Sequence, residues 1–93
     1  MTASPDINAE RLWADIMTMG AIGATEGGGS FRPALSDADR EGRNLFRYWA
    51  QEAGLTVTVD EIGNVFARRE GEDPSLPPLM IGSHLDTQMP GGK

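Results

Sequence analysis

Apolar residues recur at helical spacing in two stretches of the first half of the chain. The first stretch places four large apolar side chains along one face of a helix: Leu12, Trp13, Ile16 and Met17. Asn8, a common N-cap residue type, precedes them, so the pattern predicts a helix near residues 9–19. We expect Trp13, as a member of this stripe, to lie in the core.

The second stretch has a longer apolar stripe and clear signals at both ends. Its stripe follows the same helical spacing: Leu45, Phe46, Trp49, Ala50 and Ala53. Ser36 supplies an N-cap, and acidic residues follow it in the first turn, where they complement the helix dipole. Gly54 can adopt the left-handed conformation that ends a helix. These signals predict a helix near residues 37–53.

After the second helix the spacing changes to the alternation that is typical of strands. Three apolar residues alternate with polar ones: Leu55, Val57 and Val59. They predict a strand near residues 55–60, and a turn with a returning strand near 64–69 would complete a hairpin. The unbroken apolar run at 79–81 predicts a central strand near 79–84 that is covered on both faces. These elements indicate the α/β class.

The two helical stretches are joined by a glycine-rich segment, residues 20–33. A Gly27-Gly28-Gly29 run lies at its middle, but it lacks the preceding strand and the following helix of a phosphate-binding loop. We therefore expect a flexible connector here.

Composition excludes several classes of protein and of site. The 93 residues carry a net charge of −6, and their eight Lys and Arg residues are scattered, which argues against nucleic-acid binding. The lack of cysteine excludes disulfides and cysteine-based zinc sites. No apolar run approaches the ~20 residues that span a bilayer, and the first residues do not resemble a secretory signal. We expect a cytoplasmic protein that binds neither nucleic acid nor membrane.

The most informative stretch is Ile-Gly-Ser-His-Leu-Asp-Thr, residues 81–87, which carries the only histidine of the sequence. In an extended strand, positions i and i+2 project from the same face, so His84 and Asp86 can lie side by side. This pairing suits a metal-bound imidazole whose other nitrogen is held by a carboxylate. Taken alone, however, one histidine at a strand end is more often structural, and Asp86 could be a turn residue bonded to local amides.

The chain resembles the zinc-dependent amidases of the hydantoinase/carbamoylase family, which are relatives of the aminoacylases and metallo-carboxypeptidases. A Met89-Pro90 pair, where relatives often carry the proline first, is a small departure in a turn. The resemblance rests on five blocks in order along the chain: residues 22–29, 34–37, 52–55 and 60–64, and residues 82–87 with the Gly91-Gly92-Lys93 turn.

This resemblance implies a fold and a site. Residues 1–93 would be the N-terminal portion of a metallo-aminopeptidase-like α/β catalytic domain, incomplete and without the lid or dimerisation domain. His84 would be a metal ligand and Asp86 the residue of the catalytic site that holds its imidazole. The site would take two divalent ions (Zn, Mn or Co), with the bridging aspartate, a glutamate base and the remaining ligands beyond residue 93. Thr25 and Glu26 would lie near the cleft, or be solvated loop residues.

The implied activity is hydrolysis of the C–N bond of small N-carbamoyl amino acids or ureido acids by a homodimer, with a metal-bound hydroxide as nucleophile. Within the resembled family, Gln88 favours carbamoyl-amino-acid hydrolases or β-ureidopropionases over allantoate amidohydrolases. One histidine cannot complete such a site, so we expect residues 1–93 alone to be inactive. A central strand without neighbours also predicts a marginally folded chain with exposed apolar surface around residues 79–81, Trp13 or Trp49. A related aminoacylase or metallopeptidase and a truncated, non-catalytic protein remain alternatives.

Overall fold

The computed structural model describes residues 6–88, which form two helices followed by a two-stranded sheet. In chain order the elements are α1 (Ala9–Ala21), α2 (Asp37–Glu52), β1 (Thr56–Val59) and β2 (Val65–Arg68). The predicted α/β class, helices and hairpin are confirmed. Neither helix, of 13 and 16 residues, has the length and apolar character needed to cross a bilayer.

The ends of both helices follow the capping signals of the sequence. The Asn8 side chain accepts a hydrogen bond from the Arg11 main-chain nitrogen at 3.0 Å, which caps α1. Ser36 Oγ accepts one from the Asp39 main-chain nitrogen at 3.1 Å, which caps α2. After α2, Gly54 has φ +81°, the left-handed conformation predicted for this position.

The hairpin packs on α2 through one face. Strands β1 and β2 are antiparallel, with Val57 opposite Ala67 and Val59 opposite Val65. Helix α2 contacts both strands, and Val57, Val65 and Ala67 are half-buried while their polar neighbours are exposed. The alternation in the sequence therefore predicted the partial burial of Leu55 and Val57, whereas Val59, the third apolar residue of the pattern, is 46% exposed.

The apolar stripe of α1 is not buried, so the prediction that Trp13 lies in the core is wrong. The Trp13 side chain is 64% exposed, and α1 contains no buried residue. Of the two helices within residues 6–88, only α2 makes extensive contacts with other helices or strands, so the stripe of α1 has no such neighbour to cover it. In the apolar stripe of α2, Ala50 is buried and Ala53 is exposed. The other three residues of the stripe are half-buried: Leu45, Phe46 and Trp49.

The predicted strand near residues 79–84 is also absent from the structure, where this segment forms neither helix nor strand. Leu79 and Ile81 are 93% and 89% exposed. A strand is stabilised by hydrogen bonds to a neighbouring strand, and the two strands within residues 6–88 pair only with each other. The apolar run therefore has neither the pairing nor the cover that its sequence led us to expect.

The glycine-rich segment is a closed loop, which corrects the expectation of a flexible connector. Ala24 and Ser30 form an isolated antiparallel bridge across it. At its tip, the Thr25 main-chain oxygen accepts from the Gly28 nitrogen at 3.1 Å, and Thr25 Oγ1 accepts from the Gly29 nitrogen at 3.1 Å. Main-chain amides that glycines could leave free thus find partners within the loop.

Candidate metal-ligand site

Residues 84–87 lie beside the C-terminal end of α1, where they line an open cavity of about 280 Å³. His84 and Asp86, the two site residues predicted from the sequence, both face this cavity. The other walls come from α1 and from the glycine-rich loop with the residues that follow it: Ile16, Met19, Gly20, Ser30 and Arg32. The predicted pair thus lies in a concave part of the surface.

The imidazole of His84 directs its Nδ1 toward Asp86, 2.8 Å from the main-chain oxygen and 3.2 Å from Oδ1. Both of these oxygens are acceptors, so in the neutral imidazole Nδ1 carries the proton and Nε2 keeps a free lone pair. The His84 side chain is 77% exposed, which leaves it open to an external ligand. The expected contact between His84 and Asp86 is present, although it forms in an irregular segment and not along a strand.

Arg32 holds this segment, and sequence analysis missed it. Its residue is only 6% exposed, and its Nε donates to the Leu85 main-chain oxygen at 2.9 Å. Its Nη1 donates to the main-chain oxygens of Met19 and Ile22 at 3.0 and 2.7 Å. The guanidinium therefore links the end of α1 to the residue between His84 and Asp86.

Thr87 forms a second link on the other side of Asp86. Thr87 Oγ1 accepts from the Arg32 main-chain nitrogen at 2.8 Å, and the Thr87 nitrogen donates to the Arg32 main-chain oxygen at 2.8 Å. Ser30, which donates from Oγ to the Gly20 main-chain oxygen at 2.6 Å, fixes the loop next to this pair. The loop after α1 and the His84–Asp86 segment are thus held together by main-chain and side-chain bonds.

The donor atoms on this surface fit one position of a metal site. A neutral imidazole with a free Nε2 and a partner for Nδ1 is the arrangement found at metal-ligating histidines. Within residues 6–88 no group of three or more His, Cys, Asp or Glu side chains is placed to hold an ion. The residues of this part of the chain therefore do not complete a metal site, and His84 is the candidate ligand among them.

The other residues connected with the site by the resemblance are not brought to it. Thr25 makes its hydrogen bonds within the glycine-rich loop, Glu26 is exposed, and neither lines the cavity with His84. Gln88 is exposed as well. The Gly91-Gly92-Lys93 turn and the Met89-Pro90 pair lie outside the described residues.

Comparisons with known proteins agree on one family. The chain is 53% identical over 87 residues to the N-carbamoyl-L-amino-acid amidohydrolase of Rhizobium meliloti, which covers 94% of the chain and 21% of that protein. It is 43% identical over 61 residues to allantoate deiminase 2 of Glycine max, and this match covers 66% of the chain and 13% of that protein. The crystal structure of a hydantoinase/carbamoylase family amidase from Burkholderia ambifaria superposes with a TM-score of 0.90 at 55% identity. The superposition covers 92% of the chain and 21% of that amidase. No family model matches the chain.

In sequence and in fold, the chain corresponds to the N-terminal part of a hydantoinase/carbamoylase family amidase. The resemblance that rested on five blocks is thereby confirmed. The chain spans about a fifth of the length of the curated relatives it matches.

Proposed function

We propose that a protein of full family length that carries this chain hydrolyses the carbamoyl C–N bond of N-carbamoyl-L-amino acids. His84 is proposed as a ligand of one metal ion and Asp86 as the residue that orients it. One observation supports this assignment most directly: the hydrogen bond from Nδ1 of His84 to Asp86 leaves Nε2 free. Two relatives at 53% identity are N-carbamoyl-L-amino-acid amidohydrolases, and the proposed reaction class is taken from them.

Each residue has a separate part in the proposal. A bound divalent ion would supply Lewis acidity and lower the pKa of water. His84 would hold this ion through Nε2. Asp86 fixes the Nδ1–H tautomer of the imidazole and the direction of the ring. The cavity beside α1 gives the side chain its access from solvent.

Hydrolysis of allantoate is the second candidate, since allantoate deiminases are also among the relatives. Those matches cover 66% of the chain, compared with 94% for the carbamoyl-amino-acid enzymes. The wider match favours the N-carbamoyl substrates, in agreement with the preference drawn from Gln88.

The test is ammonia release by the full-length protein with added Zn, Mn or Co. N-carbamoyl amino acids and allantoate are supplied in separate reactions, and their rates are compared. We expect His84→Ala to remove most of the activity together with bound metal. Asp86→Asn should weaken metal binding by about 10–100-fold, because the amide is a poorer partner for Nδ1–H. Glu72→Gln, a carboxylate-to-amide change at an exposed residue outside the cavity, is the matched control and should change neither quantity.

Residues 1–93 alone should give no turnover, because the sequence has one histidine and residues 6–88 place no three potential ligands together to hold an ion. Robust metal-dependent turnover by the 93-residue chain would contradict that expectation. Full activity of the His84→Ala protein would contradict the assignment of the ligand.

A further inference from the structure

We propose that Arg32 is a positioning residue that fixes the orientation of His84 through the segment 85–87. Its Nε holds the main-chain oxygen of Leu85, and its main chain pairs with Thr87. These contacts lie on either side of Asp86, the residue against which the imidazole rests. The proposal depends on the proposed function only in treating His84 as a ligand.

Arg32 can act as a fixed point because it is itself held firmly. It is 6% exposed, and its Nη1 bonds to the Met19 and Ile22 main-chain oxygens at the end of α1. Residues 18–21, the last turn of α1, include no Lys or Arg, so the guanidinium supplies the positive charge that the end of the helix dipole favours. It also gives the Ile22 carbonyl a hydrogen bond and adds a second donor to the Met19 carbonyl, which already accepts from the Ile22 nitrogen.

The orientation of His84 has no comparable support from packing. Residues 84–87 belong to neither a helix nor a strand, and the imidazole is 77% exposed. Its two contacts with Asp86 lie in an exposed segment, where water competes for the same groups and each hydrogen bond stabilises the ring only weakly. The bonds from Arg32 on both sides of Asp86 therefore decide whether the main chain presents its oxygen to Nδ1.

Gly42 of α2 is the second requirement for this arrangement. A Cβ placed there would lie 3.1 Å from Arg32 Cδ and 3.3 Å from Arg32 Nε. Met19 of α1 also lies at this point of α2, since its Sδ would be 3.3 Å from the same Cβ. A glycine leaves space for both side chains, although alanine has the higher helix propensity.

The experiment uses the fact that His84 is the only histidine of the sequence. Long-range ¹H–¹⁵N correlation NMR of the metal-free chain at about pH 8.5, where imidazoles are neutral, reports a single ring and its tautomer. We expect the parent chain to be mainly the Nδ1–H tautomer. Thr87→Val and Arg32→Lys should each convert it to a mixture of both tautomers, and Thr87→Ser, which restores the acceptor, should retain the parent spectrum.

Two matched controls use exposed residues outside the cavity. Thr58→Val in β1 repeats the change at Thr87, and Arg47→Lys in α2 repeats the change at Arg32. Both control variants should leave the tautomer of His84 unchanged. In the test variant Thr87→Val, circular dichroism should show the helix content of the parent chain. A separate Zn²⁺ titration of the parent ring tests the ligand assignment, so each hypothesis can fail without the other.

Three outcomes would overturn the positioning role. The parent ring could lack the Nδ1–H tautomer, or Thr87→Val could keep the parent tautomer. Thr87→Val could also lose its helix signal, which would show that the pairing with Arg32 supports the whole fold and not the site segment. If Arg32→Lys fails to fold, the comparison of the tautomers of Thr87→Val and Thr87→Ser decides whether the pairing with Arg32 positions His84.

Discussion

Gly23 and Gly28 have nearly the same left-handed conformation in the loop after α1, with φ of +81° and +85°. Their surroundings differ. A Cβ added at Gly23 would overlap the main-chain oxygen of Phe31, whereas a Cβ at Gly28 would meet nothing within 4 Å. The two positions therefore separate the cost of a left-handed backbone from the cost of a steric clash.

Gly28→Ala should lower the free energy of unfolding by about 1–2 kcal/mol, the usual cost of this conformation for an L-residue. Gly23→Ala should lower it by clearly more, because Phe31 cannot move away without breaking its 2.7 Å hydrogen bond to the Gly23 main-chain oxygen. Urea unfolding followed by circular dichroism measures both losses. Equal losses in the two variants would mean that the loop relaxes around the added methyl group.

Residue contacts could be predicted from the sequence where the partners are close along the chain. The two N-caps and the contact between His84 and Asp86 span two or three positions, and each follows from a local rule. Arg32 is different, because its side-chain partners are main-chain carbonyls 10 to 53 residues away. The one signal for it is an arginine in a stretch without acidic partners between Glu26 and Asp37.

At the scale of the elements, the hairpin turn depends on one carboxylate. Asp60 Oδ1 accepts from the main-chain nitrogens of Ile62 and Asn64 at 3.1 and 2.8 Å, and Oδ2 accepts from the Asn64 side chain at 2.8 Å. The Asn64 side-chain hydrogen bond is the main reason that the pKa of Asp60 lies below its ordinary value of 3.8. The ionised form is thus the one that the folded turn favours.

Because the folded pKa of Asp60 is lowered, its contribution to stability is present above about pH 3.8 and disappears as the pH falls through the folded pKa. Asn64→Ala should return the pKa of Asp60 toward 3.8 and weaken the acid dependence of the hairpin. Carboxyl ¹³C NMR titration measures the shift. Asp73, whose pKa is lowered chiefly by the Ser75 side chain, is an internal control and should titrate as in the parent.

A helix or strand and its buried face were predictable where the apolar residues are periodic and the fold supplies a neighbouring element to pack against. The spacing in α2 and the alternation in β1 are matched by contacts between these elements, and both were predicted correctly. The apolar stripe of α1 predicts a helix equally well, but it cannot show whether a neighbour covers it. Residues 79–81 present the same difficulty, since an apolar run predicts a central strand only where partner strands are available.

At the scale of the whole molecule, apolar surface is distributed unusually. Among the described residues, Ala50 is the only buried hydrophobic residue, while several large side chains are exposed: Ile7, Trp13, Leu35, Ile62, Leu79, Met80 and Ile81. A soluble monomer seldom presents much contiguous apolar surface. The expected apolar exposure is present at residues 79–81 and at Trp13, where it contradicts the separate expectation of a core position, whereas Trp49 is half-buried.

The final prediction is that the 93-residue chain unfolds with low cooperativity and binds a dye that detects apolar surface, because so few apolar side chains are removed from water. The double variant Leu79→Ser, Ile81→Ser should bind less dye without a lower unfolding midpoint, since both side chains are about nine-tenths exposed. Leu45→Ala, at a half-buried position of α2, should instead lower the midpoint. Sharp two-state melting of the parent as a monomer, with no dye bound, would contradict the prediction.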